Sequence, residues 1–160
     1  MAGFDIACFD TVGELSVDGF DLVTPAWWIT NLPKLWFEYE VRGDNVVLPG
    51  APGQRSYPRR LDQSEHELTL YVDGGVDSGG VEYANPWTGL MTNLDSLYAN
   101  VFSPIGSGRG TRPAVLTLPD GVTTRTADVQ FTPLRGTDDI EDPRFVVFRT
   151  TMTVPAGRFT

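Results

Sequence analysis

Alternation of apolar and polar side chains along the chain predicts β-strands in several places. It is clearest in "KLWFEYEVRG", residues 34–43, and in "EHELTLYVDG", residues 65–74. Successive side chains of a strand point to opposite faces, so a strand with one buried face shows a period of two. The apolar positions are Leu35, Phe37, Tyr39 and Val41 in the first segment, and Leu68, Leu70 and Val72 in the second. Both segments are predicted to be half-buried strands.

Turn residues divide much of the remaining chain into further strands. Asp18-Gly19 lies between two apolar-containing arms and predicts a two-residue hairpin, because a type I′ turn needs positive φ at both central positions. In the last third, "AVLTL", "VTTRTADVQF" and "FVVFRTTMTV" are separated by Pro119-Asp120-Gly121 and by "RGTDDIEDPR". This order predicts an antiparallel meander. Its last strand is expected to place Val146, Phe148, Thr150, Met152 and Val154 on one face.

A single segment, "NPWTGLMTNLDSLYANVFSP" at residues 85–104, has helical spacing. Asn85 can cap the helix, Pro86 suits its first turn, and Pro104 sets its end. The predicted apolar face consists of Trp87, Leu90, Met91, Leu94, Leu97, Tyr98 and Val101. Gly89 weakens the first turn by up to ~1 kcal/mol relative to Ala. The predicted fold class is therefore mainly β, an antiparallel β-sandwich with one flanking α-helix at about residues 86–102.

Composition and charge narrow the classes of protein. A chain of 160 residues with 17 Gly and 12 Pro fits one turn-rich domain over residues 1–160. The net charge of -9 argues against a nucleic-acid-binding protein, since the phosphates of DNA or RNA would be repelled over most of the surface. One cysteine, Cys8, allows no internal disulfide and suggests a reducing compartment. The start "MAGFDIACFD" is unlike a signal peptide, and residues 96–108, the longest uncharged stretch, are interrupted by Pro104, so we expect neither export nor membrane insertion.

Residues that could support catalysis or bind metal are few. The one histidine, His66, lies in a strand pattern between two glutamates and is interpreted as an ordinary strand residue. No nucleophile elbow, phosphate loop or dinucleotide fingerprint is present in the sequence. The acids Asp138, Asp139, Glu141 and Asp142 lack the ligand spacing of a calcium loop and are interpreted as a solvated acidic loop. We therefore predict a protein that is not an enzyme and uses no cofactor and no metal.

Three tryptophans near the predicted strands allow two interpretations. Trp27, Trp28 and Trp36 could form a stacking platform for a sugar. Large aromatic side chains beside strand positions more often fill a core or a subunit interface. A carbohydrate-binding β-sandwich is therefore kept as an alternative function.

The most unusual stretch is "VRGDNVVLPGAPGQRSYPRR", residues 41–60, with three prolines, three glycines and four arginines. Residues 49–60, the arm segment, carry Arg55, Arg59 and Arg60 in a chain with 12 bases and 21 acids. Guanidinium groups bind carboxylates with two hydrogen bonds, so an extended arm could contact an acidic surface of another copy. The candidate surfaces are the front of the chain, which has no base before Lys34, and the acidic loop at residues 138–142. A solvated surface loop is the alternative.

The order of several motifs resembles the distal tail protein family of long-tailed phages, in particular minor tail proteins of phages that infect actinobacteria. The resemblance covers about residues 15–104. It consists of tryptophans before a strand, Arg-Gly followed by Val-Leu-Pro-Gly, Pro-Arg-Arg, and a helix with Gly-Leu, Asn-Leu and a closing proline. None of these motifs is a catalytic signature, so the specificity lies in their order.

The resemblance implies a virion structural protein related to tail-tube subunits. Such a protein forms a homohexameric ring, the hub between the tail tube protein and the tail-tip, baseplate hub and fibre proteins, with the tape measure protein as a further partner. Family members hold the neighbouring subunit with an extended loop. The expected inter-subunit contacts are Arg55, Tyr57, Arg59 and Arg60, with Tyr57 as aromatic anchor. The expected location is the tail tip of the virion, after synthesis in the host bacterial cytoplasm.

Two further points follow from the resemblance. Many members carry a C-terminal receptor- or carbohydrate-binding domain, for which this chain is too short, so host-receptor binding is expected from other tail-tip proteins. A tube or terminator subunit shares the sandwich and helix and is an alternative within the same class.

Overall fold

The structure is a computed structural model that describes residues 13–30, 32, 35, 41–42, 46–47, 54–55, 60–103, 110–136 and 139–160. For residues 41–42, 46–47, 54–55 and 60–61 it describes the backbone only. The strands are β1 Glu14–Val17, β2 Phe20–Asp21, β3 Trp27–Ile29, β4 Val41–Arg42, β5 Val46–Val47, β6 Gln54–Arg55, β7 Arg60–Leu61, β8 Ser64–Val72, β9 Arg112–Thr117, β10 Thr124–Phe131, β11 Arg135–Gly136 and β12 Val146–Val154. The helix α1 is Pro86–Leu97, and a π-helical turn, Tyr98–Phe102, continues it.

Eight of the strands form one antiparallel sheet in the order β2-β1-β9-β10-β12-β8-β3, with β11 beside β12. Strand β10 joins the two halves: its first six residues pair with β9, and Gln130 and Phe131 pair with β12. Both halves bury one face in the same apolar core. The predicted fold class, an antiparallel β-sandwich with one flanking helix, is confirmed, and both halves belong to one continuous sheet.

The predicted alternation of the long strands is also confirmed. β8 and β12 pair along their full nine residues, and both alternate between buried and outward positions. Leu68, Leu70 and Val72 are fully buried, and Met152 and Val154 of β12 are as well. Because both strands have a period of two, the same register that buries these side chains places the intervening ones on the outer face.

Two of the predicted turns have the backbone that their residues favour. In the first hairpin Asp18 has φ 55° and Gly19 has φ 78°, as a type I′ turn requires. Gly121, with φ 71°, lies in the turn between β9 and β10. In that turn the Thr123 hydroxyl, followed by the Val122 and Thr123 amides, donates hydrogen bonds to the Asp120 carboxylate and holds its pKa below the ordinary value of 3.8.

Helix α1 begins as predicted, because the Asn85 Oδ1 accepts a hydrogen bond from the Trp87 amide at 3.0 Å and Pro86 occupies the first turn. Its predicted apolar face is wrong in part. Trp87, Met91 and Tyr98 are 49%, 57% and 39% exposed. The buried positions of α1 are Gly89, Leu90, Asn93 and Leu97, and Val101 and Phe102 of the π-helical turn are also buried.

Close backbone approach explains which side of the helix is buried. A Cβ on Gly89 would lie 2.0 Å from the Gly74 carbonyl oxygen, so a larger residue does not fit there. Asn93 is 2% exposed, and its amide nitrogen donates to the carbonyls of Asp73 at 2.8 Å and Val76 at 2.9 Å. The helix therefore docks on the 73–76 loop through Gly89 and the buried side-chain amide of Asn93. Neither residue is apolar and large, so the apolar spacing of the sequence did not identify them.

The predicted strand within residues 34–43 is wrong at its start. Leu35 lies in a 3₁₀ turn, as does Leu32, and the two side chains are 2% and 1% exposed. Val41 is in strand β4, and residues 36–40 lie outside the described residues. No helix in the described part of the chain has the length and apolar character needed to cross a membrane.

Candidate assembly interface

The arm segment lies within a longer chain reversal. β4 pairs with β7 through Val41↔Leu61 and Arg42↔Arg60, and β5 pairs with β6 through Val46↔Arg55 and Val47↔Gln54. The two short antiparallel ladders are nested, and neither belongs to the eight-stranded sheet. Between β3 and β8 the chain therefore reverses direction outside the eight-stranded sheet, and the role of the arm segment as an arm stays a prediction.

The four predicted contact residues are only partly within the described chain. Arg55 is in β6 and Arg60 is in β7, where the structure gives the backbone alone. Tyr57 and Arg59 lie outside the described residues. The inter-subunit contacts of all four residues therefore stay a prediction.

Three aromatic side chains form an aromatic face on the outside of the sheet: Trp28, Tyr71 and Phe145. Trp28 of β3 is directly opposite Tyr71 of β8, and their rings stack at 5.6 Å with an interplanar angle of 12°. Phe145, just before β12, lies 5.0 Å from the Tyr71 ring and 6.4 Å from the Trp28 ring, centroid to centroid. Phe145 remains 57% exposed, so the aromatic face is open to solvent at this residue.

The acidic loop borders this aromatic face. Asp139, Glu141 and Asp142 line an open cleft of about 720 Å³ together with Ile140, Phe145 and the start of β12. The three acids are exposed, and within the described residues no cation lies at ion-pair distance from them. Asp138, the fourth acid of the predicted loop, lies outside the described residues. The cleft thus combines negative charge with exposed aromatic surface.

The front of the chain, the other candidate acidic surface, is arranged differently. Asp18 lies 3.7 Å from the Arg112 guanidinium, so a cation of the same chain already faces it. Glu14 and Asp21 are exposed, and Asp5 and Asp10 lie outside the described residues. The ring next to this hairpin, Trp27, is 2% exposed and stacks on Phe20 at 5.5 Å, so it offers little surface to a partner.

Trp27 and Trp28 are neighbours in β3 and lie on opposite faces of the sheet. Trp27 is a core residue, which confirms the core interpretation at that position, and its indole nitrogen donates to the Asp21 carbonyl at 3.0 Å. Trp28 contributes to the aromatic face, and Trp36 lies outside the described residues. Sequence reasoning missed Tyr71 and Phe145, although the outward phase of Tyr71 in β8 was a usable signal.

Two further titratable residues, His66 and Asp77, form hydrogen bonds within their own strand or turn. His66 is a buried strand residue, as predicted, and its Nε2 lies 3.1 Å from the Ser64 hydroxyl. Asp77 accepts hydrogen bonds from the Gly79 and Val81 amides, both at 2.9 Å, so this carboxylate shapes the turn at residues 77–81. Within the described ranges, no group of three or more His, Cys, Asp or Glu residues could hold a metal ion.

Comparison with known proteins gives one informative result. No protein-family model matches the chain, and no curated protein matches it. Among solved structures, the crystal structure of the Dit protein (gp 19.1) of phage SPP1 matches 91% of this chain with a TM-score of 0.52 and 13% sequence identity. The chain shares its fold with about half of the SPP1 Dit protein.

The chain spans 50% of the length of SPP1 Dit. That protein is presented as a paradigm of the hub adsorption apparatus in phages that infect Gram-positive bacteria. At 13% identity the likeness shows the fold, in agreement with the resemblance to distal tail proteins. The finer assignment to phages of actinobacteria stays a prediction.

Proposed function

We propose that this protein is a structural component of a phage virion and forms a ring-shaped hub at the distal end of the tail tube. In this role the ring joins the tail tube protein to the tail-tip and fibre proteins, adjoins the tape measure protein, and performs no catalysis. The observation that carries the proposal is the Dit-like fold over 91% of the chain. The nested ladders around the arm segment support it, since a chain reversal outside the main sheet is a segment with which one copy could reach the next.

A closed ring uses a head-to-tail contact in which two different surfaces of each copy meet. This chain separates its charges in a way that suits such a contact. The arm segment carries three arginines within six residues, whereas the described loop at 139–142 carries three acids. Complementary charge favours the correct orientation of the copies and speeds their encounter. We propose six copies per ring and an inter-subunit role for Arg55, Tyr57, Arg59 and Arg60.

Assembly state tests the proposal directly. Multi-angle light scattering and negative-stain images of the purified chain should show a ring with six times the mass of the 17.6 kDa chain. The double substitution Arg59→Glu and Arg60→Glu should give a folded monomer. Arg135→Glu with Arg158→Glu, the same charge change at two exposed arginines elsewhere, should leave the ring intact. A wild-type chain that stays monomeric at all concentrations, and when mixed with tail tube protein, would contradict the proposal.

The place of the protein in the particle separates this function from the tube and terminator alternatives. Antibody labelling of intact and disassembled virions should mark the distal end of the tail once per particle. Labelling along the whole tube would indicate a tube subunit, and labelling at the head-proximal end would indicate a terminator.

A carbohydrate-binding function is the second candidate, because Phe145 presents an exposed ring beside carboxylates. Aromatic rings stack on the apolar faces of sugars, and carboxylates accept hydrogen bonds from hydroxyl groups. A glycan array with the purified chain tests this alternative, and a hub without sugar-binding function gives no signal.

A further inference from the structure

We propose that the aromatic face and the acidic loop together form the surface that receives the arm segment of a second copy of this chain. This inference rests on the proposed assembly into a ring and assigns the acceptor side of its interface. It concerns Trp28, Tyr71, Phe145 and the loop from Asp139 to Asp142.

Charge is the first reason. The arm segment, "PGAPGQRSYPRR", contains three arginines and no acid. The described part of the acidic loop, residues 139–142, contributes three carboxylates, with Arg144 the nearest base in sequence, and none of the three forms an ion pair within the described residues. At the front of the chain, by contrast, Arg112 already faces Asp18 at 3.7 Å. The acidic loop is therefore the better partner for additional guanidinium groups.

The chemistry of the rings is the second reason. A guanidinium group is attracted to the face of an aromatic ring, and proline-rich extended segments bind in grooves lined by aromatic side chains. The exposed ring of Phe145 lines the same cleft as the acidic loop, and Tyr71 and Trp28 extend the aromatic surface across β8 and β3. One cleft thus offers groups that suit both the arginines and the prolines of the arm segment.

Position along strand β8 is the third reason. The chain returns from the arm into the start of β8 at Ser64, whereas Tyr71 lies near its other end. Seven residues of strand separate the two, about 23 Å at ~3.3 Å per residue. The arm base and the acceptor cleft therefore lie at opposite ends of one strand, an arrangement that suits a head-to-tail contact between neighbouring copies.

The test uses the full chain in two forms. The first is Arg59→Glu with Arg60→Glu, which keeps the acceptor cleft and alters the arm. A fluorescently labelled peptide of residues 49–60 should bind this variant in an anisotropy titration. Adding Phe145→Ala should weaken peptide binding roughly 3- to 30-fold, the range expected for loss of a cation–π contact. Adding Asp139→Arg with Glu141→Arg should abolish binding.

The second form is a chain with a wild-type arm segment and substitutions in the acidic loop. Asp139→Arg with Glu141→Arg should prevent ring formation, as should the arm variant alone. Mixing these two variants should restore rings, because each arm then meets a cleft of opposite charge. Glu14→Arg with Asp21→Arg, an equal charge change at the front of the chain, is the matched control and should form rings normally.

Each alternative gives a different result. Rings that tolerate the changes at 139, 141 and 145 would overturn the acceptor assignment and leave the tail-hub proposal intact. A wild-type monomer whose own arm blocks the peptide would show that the cleft binds the arm of the same chain. Sugar binding that Phe145→Ala abolishes, without peptide binding, would assign the cleft to a glycan. Circular dichroism of every variant establishes that it is folded.

Discussion

Replacing Gly89 with alanine tests the docking of the helix most directly. The added Cβ would lie 2.0 Å from the Gly74 carbonyl oxygen and 2.4 Å from Cδ2 of Tyr83, where real Cβ contacts stay beyond 3.0 Å. The helix start must therefore move by about 1 Å away from Gly74. Overpacking of this kind costs about 1–3 kcal/mol, while alanine recovers up to ~1 kcal/mol of helix propensity. Because the nearest clash is with backbone, which yields less than a flexible side chain, the cost lies at the upper end of its range and we expect a net loss of about 2 kcal/mol.

Thermal and urea unfolding of Gly89→Ala measure this loss. For a chain of this size about 2 kcal/mol corresponds to a Tm lower by roughly 4–8 °C. Gly79→Ala is the matched control, because its Cβ would meet only the Asp77 carboxylate at 3.4 Å and its site is exposed. The control should stay within about 0.5 kcal/mol of wild type. If Gly89→Ala were as stable as wild type, the helix would not be held against the 73–76 loop in the way described.

Two further substitutions test individual polar groups. Asn93→Ala removes both hydrogen bonds to the 73–76 loop and should lower the free energy of unfolding in urea by about 1–3 kcal/mol. Asn100→Ala, at an exposed position, is its control. Equal losses of stability in the two variants would refute the role of Asn93 as a buried hydrogen-bond donor. Thr123→Val should raise the pKa of Asp120 toward 3.8 in an NMR titration, because the Thr123 hydroxyl is the main cause of the lowered pKa. Since the folded-state pKa is lowered, the stabilisation from Asp120 is present above pH 3.8 and is lost as the pH falls through the folded-state pKa. An unchanged pKa in Thr123→Val would contradict this assignment.

The strands were predictable where the side-chain pattern or a turn residue within the segment itself determines the structure. β8 and β12 have one buried face each, so a period of two marked them, and Asp18-Gly19 marked its hairpin through the positive φ that it tolerates. β3 was not predicted. It has three residues, and its pairing with β8 joins Trp27 to Val72, a contact that no local pattern encodes.

The orientation of the helix and the aromatic face were not predictable, for a common reason. Helical spacing identified an apolar stripe, but the neighbours of the helix decided its rotation, so Gly89 and Asn93 are buried while Met91 is exposed. The aromatic face combines residues from three separate segments, and their proximity follows from sheet order alone. The arm segment stands out in the sequence because its proline, glycine and arginine content differs from that of the flanking strands, and its role as an arm stays a prediction.

The order of strands in the sheet has a consequence for synthesis on the ribosome. Glu14 of β1 pairs with Thr117 of β9, so the first hairpin of the chain can join the sheet only after more than a hundred further residues have been synthesised. Contacts of such long sequence separation slow folding, and unpaired strand edges promote aggregation while they persist. The ladders at residues 41–61 close over much shorter separations and can form early. A nascent chain would then close these two short ladders before its eight-stranded sheet is complete, so the last-made strands decide when the first hairpin leaves solvent.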